Sequence, residues 1–267
     1  MHTLTRTIRF SVNPGRGAET GSAPANGFAG IPSMRGLGRY YELHVTCRGE
    51  PRSPSGYLLN IKEIDTTVHA GVIPLIAQAC RDNPESNPVE LLPGIVEEIR
   101  RRLGGVFERV RWNLTPYYSL EMTADTSHVL LRQSFDFSAA HRLHVPSLTD
   151  EQNRALFGKC NNPSGHGHNY RVEPCVAVRT GAQPAFGLDQ LEALVHERII
   201  RPYDHTHLNE DTAEFGGPSG VNPSVENIAR VFFERLAEPI RAGSGGSASL
   251  RTLTVWETDR TSATFPA

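Results

Sequence analysis

An internal repeat constrains this chain more than any other feature. Phe10-Ser11-Val12-Asn13-Pro14 lines up with Phe137-Ser138-Ala139-Ala140-His141, and Gly36-Leu37-Gly38-Arg39-Tyr40-Tyr41 with Gly165-His166-Gly167-His168-Asn169-Tyr170. Ile73-Pro74-Leu75-Ile76-Ala77 falls against Arg201-Pro202-Tyr203-Asp204-His205, and Asn87-Pro88 opens an apolar-periodic stretch as Asn222-Pro223 does. Val110-Arg111-Trp112-Asn113 sits against Thr254-Val255-Trp256-Glu257. The offset drifts from 127 to 144 residues, which loop insertions explain. A repeat of this kind asks each half to form the same succession of elements around its own core.

Hydrophobic periodicity gives that succession. The first half predicts strands at 4–13 and 39–48, helices at 61–79 and 88–103, and strands at 107–114 and 117–123. The second predicts strands at 130–140 and 168–179, helices at 188–201 and 224–240, then strands at 250–257 and at the terminus. Pro223 with Glu226 marks a helix start, and Gly243-Ser244-Gly245-Gly246-Ser247 a connection. The loop at 14–38, rich in Gly, Pro, Ser and Ala, has the composition of a mobile segment. The expected fold class is α+β, with domains 1–125 and 126–267, each a four-stranded antiparallel sheet with two helices inserted between strands 2 and 3. An unrelated first domain with chance matches is the alternative.

The two halves differ in chemistry. His141 stands against Pro14, His166 against Leu37, His168 against Arg39, Asp204 against Ile76, His205 against Ala77 and Glu257 against Asn113. The glycines, Tyr41 and Trp112 persist. The first half reads as a copy that kept its fold and lost its site.

What the second half retains suits a metal. His166 and His168 are two apart, so on a strand both rings project from one face. His141 ends the apolar-leaning run that starts at Leu130. Three neutral imidazoles with one open position are the usual ligand set of a catalytic zinc. Cys160 lies in the loop just before His166, either as a thiol that moves protons or as a fourth ligand.

Composition narrows the remaining classes. A formal net charge of −2 gives no reason to expect nucleic acid or an anionic membrane as partner. No apolar run approaches the roughly 18 residues of a spanning helix. Met1-His2-Thr3-Leu4-Thr5-Arg6 lacks the charged-then-apolar pattern of a signal peptide. Four irregularly spaced cysteines argue against a disulfide framework and fit a reducing cytoplasm, where Cys160 stays a thiol.

These residues also carry a resemblance. Phe137-Ser138-Ala139-Ala140-His141-Arg142-Leu143, Phe157-Gly158-Lys159-Cys160-Asn161-Asn162-Pro163 and Gly165-His166-Gly167-His168-Asn169-Tyr170 resemble the signature of the 6-pyruvoyl-tetrahydropterin synthase family. Pro202-Tyr203-Asp204-His205 with Leu208-Asn209, Asn222-Pro223-Ser224-Val225-Glu226-Asn227, and Val255-Trp256-Glu257-Thr258 continue it in order. The resemblance covers about residues 130–267 and implies the tunnelling fold, in two tandem units if the repeat holds.

It implies conversion of 7,8-dihydroneopterin triphosphate to 6-pyruvoyl-tetrahydropterin with release of triphosphate, by a Zn2+ lyase. In that reading His141, His166 and His168 are metal ligands, and Cys160, Asp204, His205 and Glu257 are catalytic. Glu257, Thr258 and Ser224 contact the pterin, and Arg142 and Lys159 meet the triphosphate. A homo-oligomer is implied, because family sites lie between neighbouring units. Val225 departs from the family's second hydroxyl residue, which removes one expected substrate contact. Asp204 could instead cap a turn, and Glu257 could be a solvated strand charge. Two rival functions stay open: 6-carboxy-tetrahydropterin synthase of queuosine biosynthesis, and a non-catalytic pterin-binding protein. Five residues separate Cys160 from His166, where the carboxy type usually has three.

Overall fold

The computed structural model describes residues 1–13, 28–217 and 219–267. Pro14 and most of the glycine- and proline-rich loop, 14–27, lie outside the described residues, as does its expected mobility. The chain forms two compact α+β units, Met1–Leu131 with Val178–Gly187, and Arg132–Ala177 with Leu188–Ala267. This differs from the expected division at 125/126. The stretch 178–187 stays with the first unit because Ala185 is held there. Its carbonyl accepts from Asn87 Nδ2 at 3.0 Å and its N–H donates to Glu90 Oε1 at 3.3 Å.

In the first unit, β1 (His2–Val12), β2 (Arg39–Gly49), β3 (Phe107–Asn113) and β4 (Tyr118–Thr123) form an antiparallel ladder in that order. Between β2 and β3 lie α1 (Ile61–Thr67), α2 (Ile73–Asp82) and α3 (Pro88–Leu103). Asn60 and Asn87 cap α1 and α3 by accepting from Lys62 N and Val89 N. Alternate strand residues Phe10, Leu43, Val45, Val110 and Leu120 are fully buried beneath Ile64, Ile76, Leu92 and Ile99. Each such side chain contributes about 1.5–3 kcal/mol by leaving water.

β5 (His128–Gln133) leads into the second unit, which contains β6 (Phe135–His141) and α4 (Asp150–Phe157), then β7 (His166–Arg179). After β7 come α5 (Leu188–Val195), α6 (Arg201–Tyr203), the short β8 (Thr206–His207) and α7 (Leu208–Asp211). The long α8 (Val225–Gly243) precedes the hairpin of β9 (Ala248–Thr258) and β10 (Thr261–Phe265). β6 and β7 are antiparallel, β9 pairs with β7, and β8 runs parallel along β6. Phe137 stacks on Tyr170 at 4.9 Å and meets Phe232 of α8 at 5.4 Å. The helix α4, opened by a Thr149 and Gln152 capping box, and the strand β8 add to the elements expected from periodicity.

Both units contain the same local deformation. A π-helical turn at Val68–Val72 precedes Ile73-Pro74, and another at His196–Ile200 precedes Arg201-Pro202. Proline has no N–H and its ring collides with the carbonyl four residues back. One extra residue in the turn relieves the collision: Ile73 N–H donates to Val68 O, and Arg201 N–H to His196 O. Strand register also agrees, with Phe10 opposite Tyr41 and Val12 opposite Arg39, as Phe137 is opposite Tyr170 and Ala139 opposite His168.

Other equivalences fail. Trp112 faces the first core, whereas Trp256 projects on the strand face opposite buried Leu253 and Val255, so the two tryptophans are out of phase. Asn113 therefore does not stand where Glu257 stands. Ile76 and Ala77 lie inside α2, which continues to Asp82, whereas Asp204 and His205 follow the end of α6. The described part of the loop is fastened, not loose. Ile31 N–H donates to Arg9 O at 2.9 Å and Ser11 N–H to Pro32 O at 2.8 Å.

Candidate metal centre and its surroundings

Strand alternation builds the centre. Phe137, Ala139 and His141 face one side of β6, and the last two oppose His168 and His166 of β7. All three imidazoles therefore converge, with ring centroids 4.5–5.2 Å apart. Their ligand atoms lie within 4.8 Å of one another, and Nε2 of His141 is 3.1 Å from Nε2 of His166. Tetrahedral zinc with Zn–N bonds of about 2.0–2.1 Å needs ligand atoms roughly 3.3 Å apart, so this spacing suits it.

The surrounding groups prepare the rings for a cation. His141 Nδ1–H donates to the carbonyl of Pro223 at 2.7 Å, which leaves Nε2 as the lone pair facing the cluster. Sequence reasoning missed this carbonyl; it lies just before Ser224 N-caps α8. Burial pushes His141 from its ordinary 6.5 down to about 4, with His166, His168 and His207 adding to the shift and Pro223 opposing it. Burial and His168 also lower His166, against Glu257. Neutral imidazole is the form that binds metal. His168 Nε2 is buried with no hydrogen-bond partner among the described residues, an orphan that a cation would satisfy.

Glu257 enters the same centre. Its Oε1 lies 3.4 Å from His141 Nε2 and 3.7 Å from His168 Nε2, with the side chain 19% exposed. Glu257 is thus no solvated strand charge. Trp256 and Thr258, adjacent in β9, point to the other face, where the Arg171 guanidinium lies 4.2 Å from the Trp256 ring centroid.

Cys160 sits on the single turn Gly158–Asn161 that follows α4, anchored by its carbonyl, which accepts from Leu143 N at 2.8 Å. Gly158 at φ +54 makes the reversal between them. The cysteine is half-buried and outside the three-histidine cluster. Burial first, and the Glu257 charge second, push its thiol up. Beside it, Arg142, Arg154 and Lys159 line a cleft of about 640 Å3 that reaches His166.

Asp204 and His205 occupy a different place. Asp204 Oδ1 accepts from Ser138 N at 2.8 Å, and its Oδ2 lies 2.8 Å from His205 Nδ1. The Ser138 N–H, then His205, hold this carboxyl below its ordinary range. His205 adopts the left-handed backbone, φ 58, and is 81% exposed. It lines a cleft with Ser138, Asn169 and the cluster histidine His168. The dyad forms, and neither of its side chains hydrogen-bonds Cys160 among the described residues. Ser224 and Thr258 have local partners, accepting from Asn227 N and Arg260 N.

Residues 130–267 match the family model described as 6-pyruvoyl tetrahydropterin synthase. The human 6-pyruvoyl tetrahydrobiopterin synthase is 40% identical over 127 residues, spanning 46% of this chain and 81% of that protein. The Poecilia reticulata protein of the same name is 42% identical over 110 residues, spanning 40% and 71%. A solved 6-pyruvoyl tetrahydropterin synthase from Caenorhabditis elegans aligns with TM-score 0.45 at 29% identity, over 52% of this chain and 96% of that one. No helix among the described residues is long and apolar enough to cross a membrane. On its matched half, and with the histidine cluster, Cys160 and Glu257 all falling inside that match, the chain belongs to the 6-pyruvoyl tetrahydropterin synthase family.

Proposed function

We propose that the second unit is a zinc lyase that converts 7,8-dihydroneopterin triphosphate to 6-pyruvoyl-tetrahydropterin and releases triphosphate. The observation that carries this is the convergence of His141, His166 and His168 on one point, beside Glu257, within the family match. Bound zinc supplies Lewis acidity toward the side-chain hydroxyls and the adjacent C–H bonds.

The chain's own residues do the rest. Glu257 accepts paired hydrogen bonds from the pterin ring amide and amino group. Cys160 removes and returns protons at side-chain carbon, so oxidation of the side chain and reduction of the ring balance without an external reductant. Its raised thiol keeps the proton until a cation nearby favours the thiolate. Ser224 accepts a backbone N–H, which leaves its hydroxyl proton for substrate, and Thr258, on the other face of β9 from Glu257, would reach a pterin only at the end of the strand. Arg142 and Lys159, with Arg154 and against the single carboxylate Asp150, border the cleft where a triphosphate finds opposite charge.

Asp204 fixes the His205 tautomer through Nδ1. The dyad makes no hydrogen bond to its own Cys160 among the described residues, so we assign it to a site shared with a second copy, and the active form is a homo-oligomer. The first unit is a degenerate tandem copy of the tunnelling fold, a reading supported by the matching π-turns and register. A reducing cytoplasm keeps Cys160 free. Incubation of zinc-loaded protein with dihydroneopterin triphosphate, followed by mass spectrometry, is expected to yield the pyruvoyl product. A carboxy product with acetaldehyde, or no turnover, contradicts the proposal.

A further inference from the structure

Neither Asn209 nor His207 belongs to the histidine cluster, yet both grip the strands that carry it. Arg142 N donates to Asn209 Oδ1 at 2.8 Å, and Asn209 Nδ2 donates back to Arg142 O at 3.0 Å. The parallel pairing of β8 with β6 covers only Ala139–Thr206 and Ala140–His207. The Asn209 carboxamide offers Arg142 the donor and acceptor that further strand residues would, so it continues the ladder past His141 by side chain. This two-point clamp fixes the backbone at the residue after a ligand.

His207 acts on the other ligand strand. Gly165, at φ +68, turns the chain into His166, and a Cβ on it would lie 2.5 Å from His207 Nε2 and 3.0 Å from His141 O. The His207 ring thus fills the notch that only glycine leaves. Both its ring nitrogens are buried without a hydrogen-bond partner among the described residues, so it packs there by shape. One short segment therefore touches β6 beside His141 and the turn that launches His166 and His168.

We infer that Asn209 and His207 are positioning residues that set the spacing between His141 and the other two ligands, and hence the metal affinity of the second unit. Metal ligation tolerates distance errors of only about 0.2 Å, so loosening either grip weakens binding without touching a ligand.

The inference rests on the metal reading above, and zinc competition against a chromophoric chelator separates the two. Wild type, Asn209→Ala, Asn209→Asp and His207→Ala are compared, with thermal unfolding of each metal-free protein as the control. Each alanine variant is expected to bind zinc about 10-fold or more weakly, the scale typical of lost supporting contacts. Asn209→Asp keeps the acceptor for Arg142 N–H but loses the donor to its carbonyl, and is expected to fall between. If both alanine variants bind within twofold of wild type, or the one that folds does so, the inference is overturned while the metal reading stands. If wild type binds no zinc, both fall.

Discussion

The outer edges of β1 and β6 pose one problem and receive two answers. On this side β1 has no further strand and β6 has only the two-residue β8, so each carries N–H and C=O groups that its ladder leaves open. On β6, Ser138 N–H donates to the Asp204 carboxylate and its carbonyl accepts from His205 N–H at 2.6 Å. On β1, Ser11 N–H donates to the Pro32 carbonyl, and Arg9 O accepts from Ile31 N–H. A plain backbone segment serves the fold as well as the dyad does. The fold's demand at this edge and the site's chemistry are therefore separable, and only the second unit meets both with the same residues.

The largest expected effect lies at Cys160. Cys160→Ala should lower turnover by about 10²–10⁴-fold, the usual contribution of a positioned acid–base group, while zinc content holds. Cys80→Ala in the first unit, whose sulfur contacts Tyr41 and Arg39, should leave turnover unchanged. Equal losses in both would break the contrast between the units.

The dyad gives the next test. His205→Ala alone should cost about 10²-fold in turnover. With the dyad assigned to a site shared between copies, dissociating and reassembling His205→Ala with Cys160→Ala should recover part of the activity. Absence of recovery at every mixing ratio would show that each copy completes its own site.

Gly30→Ala probes the other edge. A Cβ at Gly30, φ +77, would lie 2.6 Å from Arg9 C and O, so the segment must leave β1 or strain. A loss of about 1–3 kcal/mol in chemical unfolding is expected, with turnover intact. An effect on turnover larger than the effect on stability would tie this edge to the site.

The last effect is one of pH, felt by the metal-free protein alone. His141 is held near 4 in the fold against an ordinary 6.5, so between these values the unfolded chain binds the extra proton. Metal-free protein should lose stability as pH falls from about 6.5 through about 4, and level off below. Metal-free His141→Asn should flatten this slope in equilibrium denaturation.

Much of this was legible in the sequence, and the gaps have physical causes. Strand and helix positions follow from period 2 and period 3.6 patterns, and His-x-His on a strand places two imidazoles on one face. The same alternation, applied to Trp256 and Glu257, would have separated them, and it also undoes the match of Trp112 with Trp256. The Pro223 carbonyl, Asn209 and His207 had no signature, because a backbone oxygen or a shape-filling ring is defined by what it meets in space. Proline at Pro74 and Pro202 did hold a readable signal: inside a helical pattern it demands a wider turn.

The central claim is that the chemistry of this chain resides in its second unit alone. Metal content of purified, zinc-saturated protein tests it most directly. One equivalent per chain, lost in His166→Ala and untouched in Arg39→Ala, is the predicted result. Two equivalents per chain, or one that survives His166→Ala, would contradict it.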